Sequence, residues 1–363
     1  MLTAAVIAVL GAPFGVFRYT LDRPARAVFD LQSTDRPDVP HTTSEPDLNG
    51  QRRAGDEERS SYPYVVPQPP AGYVPELLVA TGADLVKVGA DNGAGVSDRL
   101  EAGQNVVRAF DDLGAGVVVE RIGADGRRTI SWLDGAAERP VLSDAILHDV
   151  GYAGSPYAVV ETGDVDRAAG RHRRLEWIGL ADLERTPLLA LGEGQEILSA
   201  SASGGLIAVA LGNGECGELR FVTTDGDELS IETDNGECSA PDHADVTNVA
   251  LSPEGDAVAY TTVTYRPDGQ EAGTELNVLD LATGNVYFRR RIGESGHGIT
   301  SLTYDGDRVA YVLQSPDGET VAAVARASAG PREGPLQAPP EIEHIRGIDQ
   351  LSGVSFARVP INW

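Results

Sequence analysis

The sequence predicts an all-β fold, a six-bladed β-propeller of four-stranded blades running from about Tyr73 to Trp363, and three observations lead there. A strand signature returns at a nearly constant interval. A second signature precedes it in most copies. The two ends of the region look like complementary parts of one blade.

The first signature is an apolar-x-x-apolar strand beginning at Leu85 (LVKV), Ile130 (ISWL), Leu175 (LEWI), Leu219 (LRFV), Leu276 (LNVL) and Val321 (VAAV). Its intervals are 45, 45, 44, 57 and 45 residues, and a period near 45 is the length of a four-stranded blade. The long interval contains the polar stretch Tyr265–Gly273, which reads as an extended loop. The first and last copies are degenerate, with Lys87 and Ala323 where Trp132, Trp177 and Phe221 stand in other units.

The second signature is a turn followed by a short apolar strand: Gly116–Val119, Pro156–Val160, Gly205–Ala210, Gly255–Tyr260 and Gly306–Tyr311. Runs this uniformly apolar fit strands buried on both faces, as the inner strands of blades are, while outer strands alternate and carry the charge. The hairpin after the third strand needs a residue that tolerates positive φ, and Asp134-Gly135, Asp225-Gly226 and Ala282-Thr283-Gly284 supply one.

Two units carry a more specific pattern. Ser252–Tyr260 reads SPEGDAVAY and Tyr304–Tyr311 reads YDGDRVAY. The first resembles the repeat of the TolB-like, WD40-like propellers, with Glu254 in place of the usual aspartate; the second is a partial copy. The WD and GH dipeptides of WD40 repeats proper are absent. The resemblance implies a propeller, often exported, that presents a face to a protein or polymer. It carries no particular partner.

Ring closure follows from the ends. Gly347–Pro360 looks like inner strands with no outer pair after them, and Pro75–Val88 looks like a blade lacking its innermost strand. Joined, they complete one blade and remove two exposed sheet edges. Spacing alone leaves a seventh blade open.

Ahead of the propeller, residues 1–21 are expected to form a hydrophobic signal-anchor or transmembrane segment, and residues 22–72 a disordered linker rich in proline and charge. Leu2–Phe17 alone is sixteen residues, roughly 24 Å of helix and short of a bilayer core. No basic leader precedes it and no small-x-small cleavage site follows. Arg18, Arg23 and Arg26 argue for a cytoplasmic side there; the cysteines argue for export.

Cys216 and Cys238 each end the tetrapeptide NGEC and flank a hairpin centred on Asp225-Gly226, so its open end would bring them together. A disulfide there implies an oxidising compartment. Two buried free thiols are the alternative. The expected placement is therefore a single-pass membrane protein with an extracytoplasmic head.

Composition narrows function more than it names one. With 29 basic and 55 acidic residues the net charge is −26, which repels phosphate backbones and excludes general nucleic-acid binding. No catalytic residue, cofactor site or metal site is assigned. Gly212–Gly217 matches a dinucleotide fingerprint in form but precedes a strand rather than a helix. The pairs Asp111-Asp112 and Asp164 with Asp166 are what chance gives so acidic a chain. The group Asp225, Asp227, Asp234 and Glu237 lacks EF-hand spacing. Against the negative field stand two basic clusters, Arg171, Arg173 and Arg174 around His172, and Arg289–Arg291. Strand alternation puts Arg289 and Arg291 on one face, as local charge balance or as a partner contact. Two functional readings result. One is a non-catalytic, membrane-tethered scaffold binding a protein or envelope polymer. The other is a propeller hydrolase, such as a lactonase or glycosidase, with an acidic site at the channel mouth.

Overall fold

The computed structural model describes residues 76–82, 84–89, 96–100, 105–112, 116–134, 137–163, 173–213, 216–229, 245–265, 271–327, 342–344 and 351–357. The N-terminal segment 1–21 and the linker 22–72 lie outside the described residues, as do Arg171, Cys238, Asp164, Asp166, Asp234 and Glu237.

Among the described residues, twenty-four strands form six antiparallel four-stranded sheets. The chain enters the first blade at its second position with β1 (Glu76–Ala80), β2 (Leu85–Gly89) and β3 (Val96–Leu100). The second blade is β4 (Val106–Asp111), β5 (Gly116–Ile122), β6 (Arg128–Asp134) and β7 (Ala137–Ser143). The third is β8 (Ile146–Tyr152), β9 (Pro156–Thr162), β10 (Arg174–Gly179) and β11 (Arg185–Ala190). The fourth is β12 (Glu196–Ser203), β13 (Leu206–Gly212), β14 (Gly217–Thr223) and β15 (Glu228–Leu229). The fifth is β16 (Asp245–Leu251), β17 (Ala257–Tyr265), β18 (Glu271–Asp280) and β19 (Val286–Glu294). The sixth is β20 (Gly298–Tyr304), β21 (Arg308–Gln314), β22 (Thr320–Arg326) and β23 (Ile342–His344). The last strand, β24 (Gly353–Ala357), returns to the first blade and pairs with β1 in register from Glu76↔Ala357 to Ala80↔Gly353.

The expected six blades and their closure between the chain ends are therefore present. All six apolar-x-x-apolar copies fall on third strands, and all five apolar runs on second strands. One expectation shifts. Tyr265 and Glu271 pair as strand residues, so β17 and β18 extend into both ends of the expected loop, and residues 266–270 lie outside the described residues. Two polar contacts favour that extension: the Tyr265 hydroxyl donates to Asp245 at 2.7 Å and the Thr264 hydroxyl to the Gly273 carbonyl at 3.0 Å.

Packing explains the apolar second strands. In β13 every residue is buried, and alternate side chains serve different neighbours. Ile207, Val209 and Leu211 pack with Tyr157 and Val159 of the third blade; Leu206, Ala208 and Ala210 pack with Val258 and Tyr260 of the fifth. A strand with no solvent face has no use for polar alternation. Large against small keeps the layers interlocked, as Tyr260 and Phe221 do beside Ala208 and Ala210.

The inner strands carry a second device. In β4, β8, β12, β16 and β20 the pairing with the next strand skips one residue, leaving Val107, His148, Leu198, Thr247 and Thr300 as bulges. The residue after each bulge is polar, and its side chain bonds the inner-strand backbone of the next blade. Arg108 donates to the Leu147 carbonyl. Asp149 accepts from Ala202 N at 2.8 Å and Ser201 Oγ at 2.7 Å. Ser199 accepts from Val249 N at 3.4 Å, reinforced two residues on by Ser201 from Leu251 N at 3.0 Å. Asn248 donates to the Ile299 carbonyl at 3.1 Å. Ser301 donates to the Val354 carbonyl and accepts from its amide, both at 3.0 Å. Ser352 closes the circle, donating to the Val106 carbonyl at 2.9 Å.

Asp149 is the most heavily used member of this belt, since Val150 N also donates to it at 2.8 Å. Replacing it by alanine orphans buried donors, and Asp149→Ala is expected to cost about 3 kcal/mol in urea unfolding. Glu138→Ala, which removes only an exposed partner of Arg121, should cost under about 1 kcal/mol. Equal costs would mean the belt carries no stability.

Candidate functional site

The bulges face inward. Val107, His148, Leu198, Thr247 and Thr300 all line one cavity of about 710 Å³ on the propeller axis, and Ser352 joins them from the first blade. A bulge turns its extra side chain out of the ladder and re-aims it. Repeated in five of the six blades, it makes a collar of one bulged residue from each at the channel mouth. The volume lies within the range of small-molecule pockets.

The collar is chemically lopsided. Near the second and third blades Arg108, Arg128, His148 and Arg173 line the cavity. Behind them stand two carboxylates almost without exposure, Glu120 and Glu161. Arg128 pairs with Glu120, whose other oxygen accepts from Leu147 N at 3.0 Å. Arg173 pairs with Glu161, which also holds His148 Nε2 at 3.3 Å. On the fourth to sixth blades the collar is apolar or hydroxylic, through Leu198, Thr247 and Thr300.

These contacts set the charge states. Burial pushes the His148 imidazole below its ordinary value; the hydrogen bond to Glu161 opposes this, and the Arg108 charge adds to it. Burial alone would raise Glu161, but the His148 hydrogen bond and the charges of His148 and Arg173 hold it below its ordinary range. Desolvation lowers Arg108 as well, opposed chiefly by Glu120. With Glu161 ionised, its oxygen accepts, so a neutral His148 carries its proton on Nε2.

The residues singled out from sequence separate on inspection. Arg173 belongs to the channel wall. It also lines a surface cleft of about 490 Å³ with Arg174 and Arg185, and Arg174 pairs with Glu176. Arg289 and Arg291 lie together on an exposed face of β19, as alternation predicts, opposite Asn277 and Glu275. Burial raises Glu275, and the two arginines oppose that rise. Asp112 is structural, accepting from Trp132 Nε1 at 2.7 Å and Gly116 N at 3.0 Å. Cys216 is buried just before β14. No His, Cys, Asp or Glu group among the described residues is arranged to hold a metal ion, and no described helix is long and apolar enough to cross a membrane.

Sequence reasoning missed Arg108, His148 and Glu161. Arg108 has a signal in the polar residue after each bulge, Arg108, Asp149, Ser199, Asn248 and Ser301, spaced by 41, 50, 49 and 53 residues, and His148 stands beside one of them; Glu161 has none.

A buried neutral histidine makes stability depend on pH. Because the folded value lies below the ordinary 6.5, its contribution is complete above that pH. It is lost as pH falls from there toward the folded value. Glu161, also lowered, adds its loss only below its ordinary 4.5. Urea midpoints at pH 7.5 and 5.5 should differ in the wild type, and His148→Gln should shrink the difference. An unchanged difference would place the titrating group elsewhere.

Neither a protein-family model nor a curated protein matches the chain. Among solved structures, a protein from Agrobacterium tumefaciens assigned as TolB aligns at 16% identity over 70% of this chain and 87% of its own, with a TM-score of 0.47. TolB from Acinetobacter baumannii aligns at 13% identity over 79% of this chain and 66% of its own, also at 0.47. A puromycin hydrolase mutant aligns at 17% identity over 72% of this chain and 44% of its own, at 0.43. The strand order of the chain itself makes it a six-bladed β-propeller in architecture.

Proposed function

We propose that this chain is a non-catalytic binding propeller that engages a protein or polymer of the cell envelope at its channel mouth. In this reading residues 1–21 anchor it in the membrane, residues 22–72 act as a tether, and the propeller lies outside the cytoplasm. The observation that carries the reading is the collar: one bulged residue from each of five blades around a single axial cavity. Its charged groups are tied down. Asp149 is taken up by three donors, and Glu161 by His148 and Arg173. Groups fixed this way suit rigid recognition better than proton transfer, which needs a carboxyl or imidazole ready to change state near the working pH. Arg174, Arg289 and Arg291 are secondary contacts in this reading, on the outer surface.

A photo-crosslinking residue at Leu198, compared with one at Glu138 on the outer strand β7, tests the location. Adducts with a discrete partner are expected from position 198 and not from 138. The reverse pattern would move the binding surface to the blade edges.

The placement outside the cytoplasm makes a Cys216–Cys238 disulfide part of the proposal. Cys216 sits at the base of the hairpin formed by β14 and β15, whose turn has Gly226 at φ +88°. Closing a loop of this size would contribute about 3 kcal/mol. Alkylation of the natively isolated protein should label neither cysteine without a reductant. Two labelled thiols would overturn both the bond and the compartment.

A further inference from the structure

We propose that the wall of the channel formed by the second and third blades is a binding site for an anionic group, a carboxylate or phosphate carried on an apolar body. The inference rests on the channel mouth being the binding surface and adds the chemical class of what enters it.

The argument starts from where the charges point. Arg108, Arg128 and Arg173 line the cavity, whereas Glu120 and Glu161, which pair with Arg128 and Arg173, do not; these are 0% and 4% exposed and stand behind the arginines. A buried carboxylate behind a guanidinium fixes its orientation. The guanidinium still has more donors than one glutamate can accept, five N–H groups in a planar fork. His148 is pinned from behind in the same way, by Glu161 at 3.3 Å. In a chain of net charge −26, three arginines converging on one stretch of channel wall run against the overall field.

The cavity's carboxylates are placed apart or already occupied. Asp149 accepts three hydrogen bonds from the chain. Asp245 accepts from Tyr265 Oη at 2.7 Å and Gly217 N at 3.2 Å, and Glu271 from Gly296 N at 3.2 Å. Those two belong to the fifth blade, and Glu196, on the fourth, is not free either. Between the poles the lining is apolar or hydroxylic, through Val107, Ile146, Leu198, Thr300 and Leu351. The Thr300 hydroxyl is buried with no hydrogen-bond partner among the described residues. An anionic head against the arginines and an apolar body along the collar satisfy both halves of this surface.

Calorimetric titration of the folded protein with octanoate, octyl phosphate and octanol tests the class. One equivalent of octanoate or octyl phosphate should bind at least about tenfold more tightly than octanol, and whichever anion binds better identifies the headgroup. Arg173→Gln should weaken the anions about tenfold and leave octanol unchanged, with Arg173→Lys intermediate. Arg99→Gln, on β3, should change nothing. Should Arg173→Gln unfold the chain, Arg128→Gln serves in its place with the same expectation. Octanol binding as tightly as the anions, or anion binding indifferent to both substitutions, would retire the anion class while leaving the channel as the binding surface. No binding of any probe would overturn the site itself.

Discussion

Everything in this molecule depends on the belt of side-chain-to-backbone hydrogen bonds that joins each inner strand to the next. A propeller blade is a small twisted sheet that cannot bury its faces alone; it is stable only between two neighbours. Apolar packing between blades supplies most of the energy, but it is non-directional and tolerates sliding. The belt is directional. Arg108, Asp149, Ser199, Asn248, Ser301 and Ser352 each reach a defined backbone group one blade further on. Each bond is worth only about 1 kcal/mol net, yet together they fix the rotation of every blade against the next. They also leave no interface on the ring without a polar tie.

The same residues that lock the ring shape its cavity. A polar side chain can turn toward the neighbouring blade at this point because a bulge has added one residue to the inner strand. The added residue then has nowhere to go but the axis. Structure and site thus share one local irregularity. This is why the channel wall can hold buried charges such as Glu120 and Glu161: the arginines, His148 and the Leu147 amide that surround them are held by the blade-to-blade geometry.

Much of the fold was legible in sequence, and the reason is physical. A second strand buried on both faces must be apolar throughout, so Leu206–Gly212 and its counterparts announce themselves. A third strand with one apolar stripe repeats at the length of a blade. Closure by Gly353–Ala357 was readable because a sheet edge left open at Glu76–Ala80 demands a partner. The site was far less legible. No residue type is common to all the inner strands, and of Val107, His148, Leu198, Thr247 and Thr300 only the two threonines match. What recurs is a role, a polar group after the bulge, which arginine, aspartate, serine and asparagine fill equally well. Arg173 was noticed for its charge, but nothing in its neighbourhood pointed to Glu161, twelve residues away and hidden inside an apolar strand. The sequence pattern Tyr265–Gly273 misled because polar residues at the end of a long hairpin can pair as readily as they can loop.

The ring account is tested most directly by native-state hydrogen exchange at the backbone amides that the belt engages. Leu147, Ala202, Leu251 and Val354 each donate to a side chain, the first within its interface and the others across the belt. If the belt locks all six blades into one unit, these four amides exchange only through global unfolding and share one opening free energy, β24 included. Exchange at Val354 through a much smaller opening, with the other three still protected, would show a ring that closes by contact alone and would contradict the account.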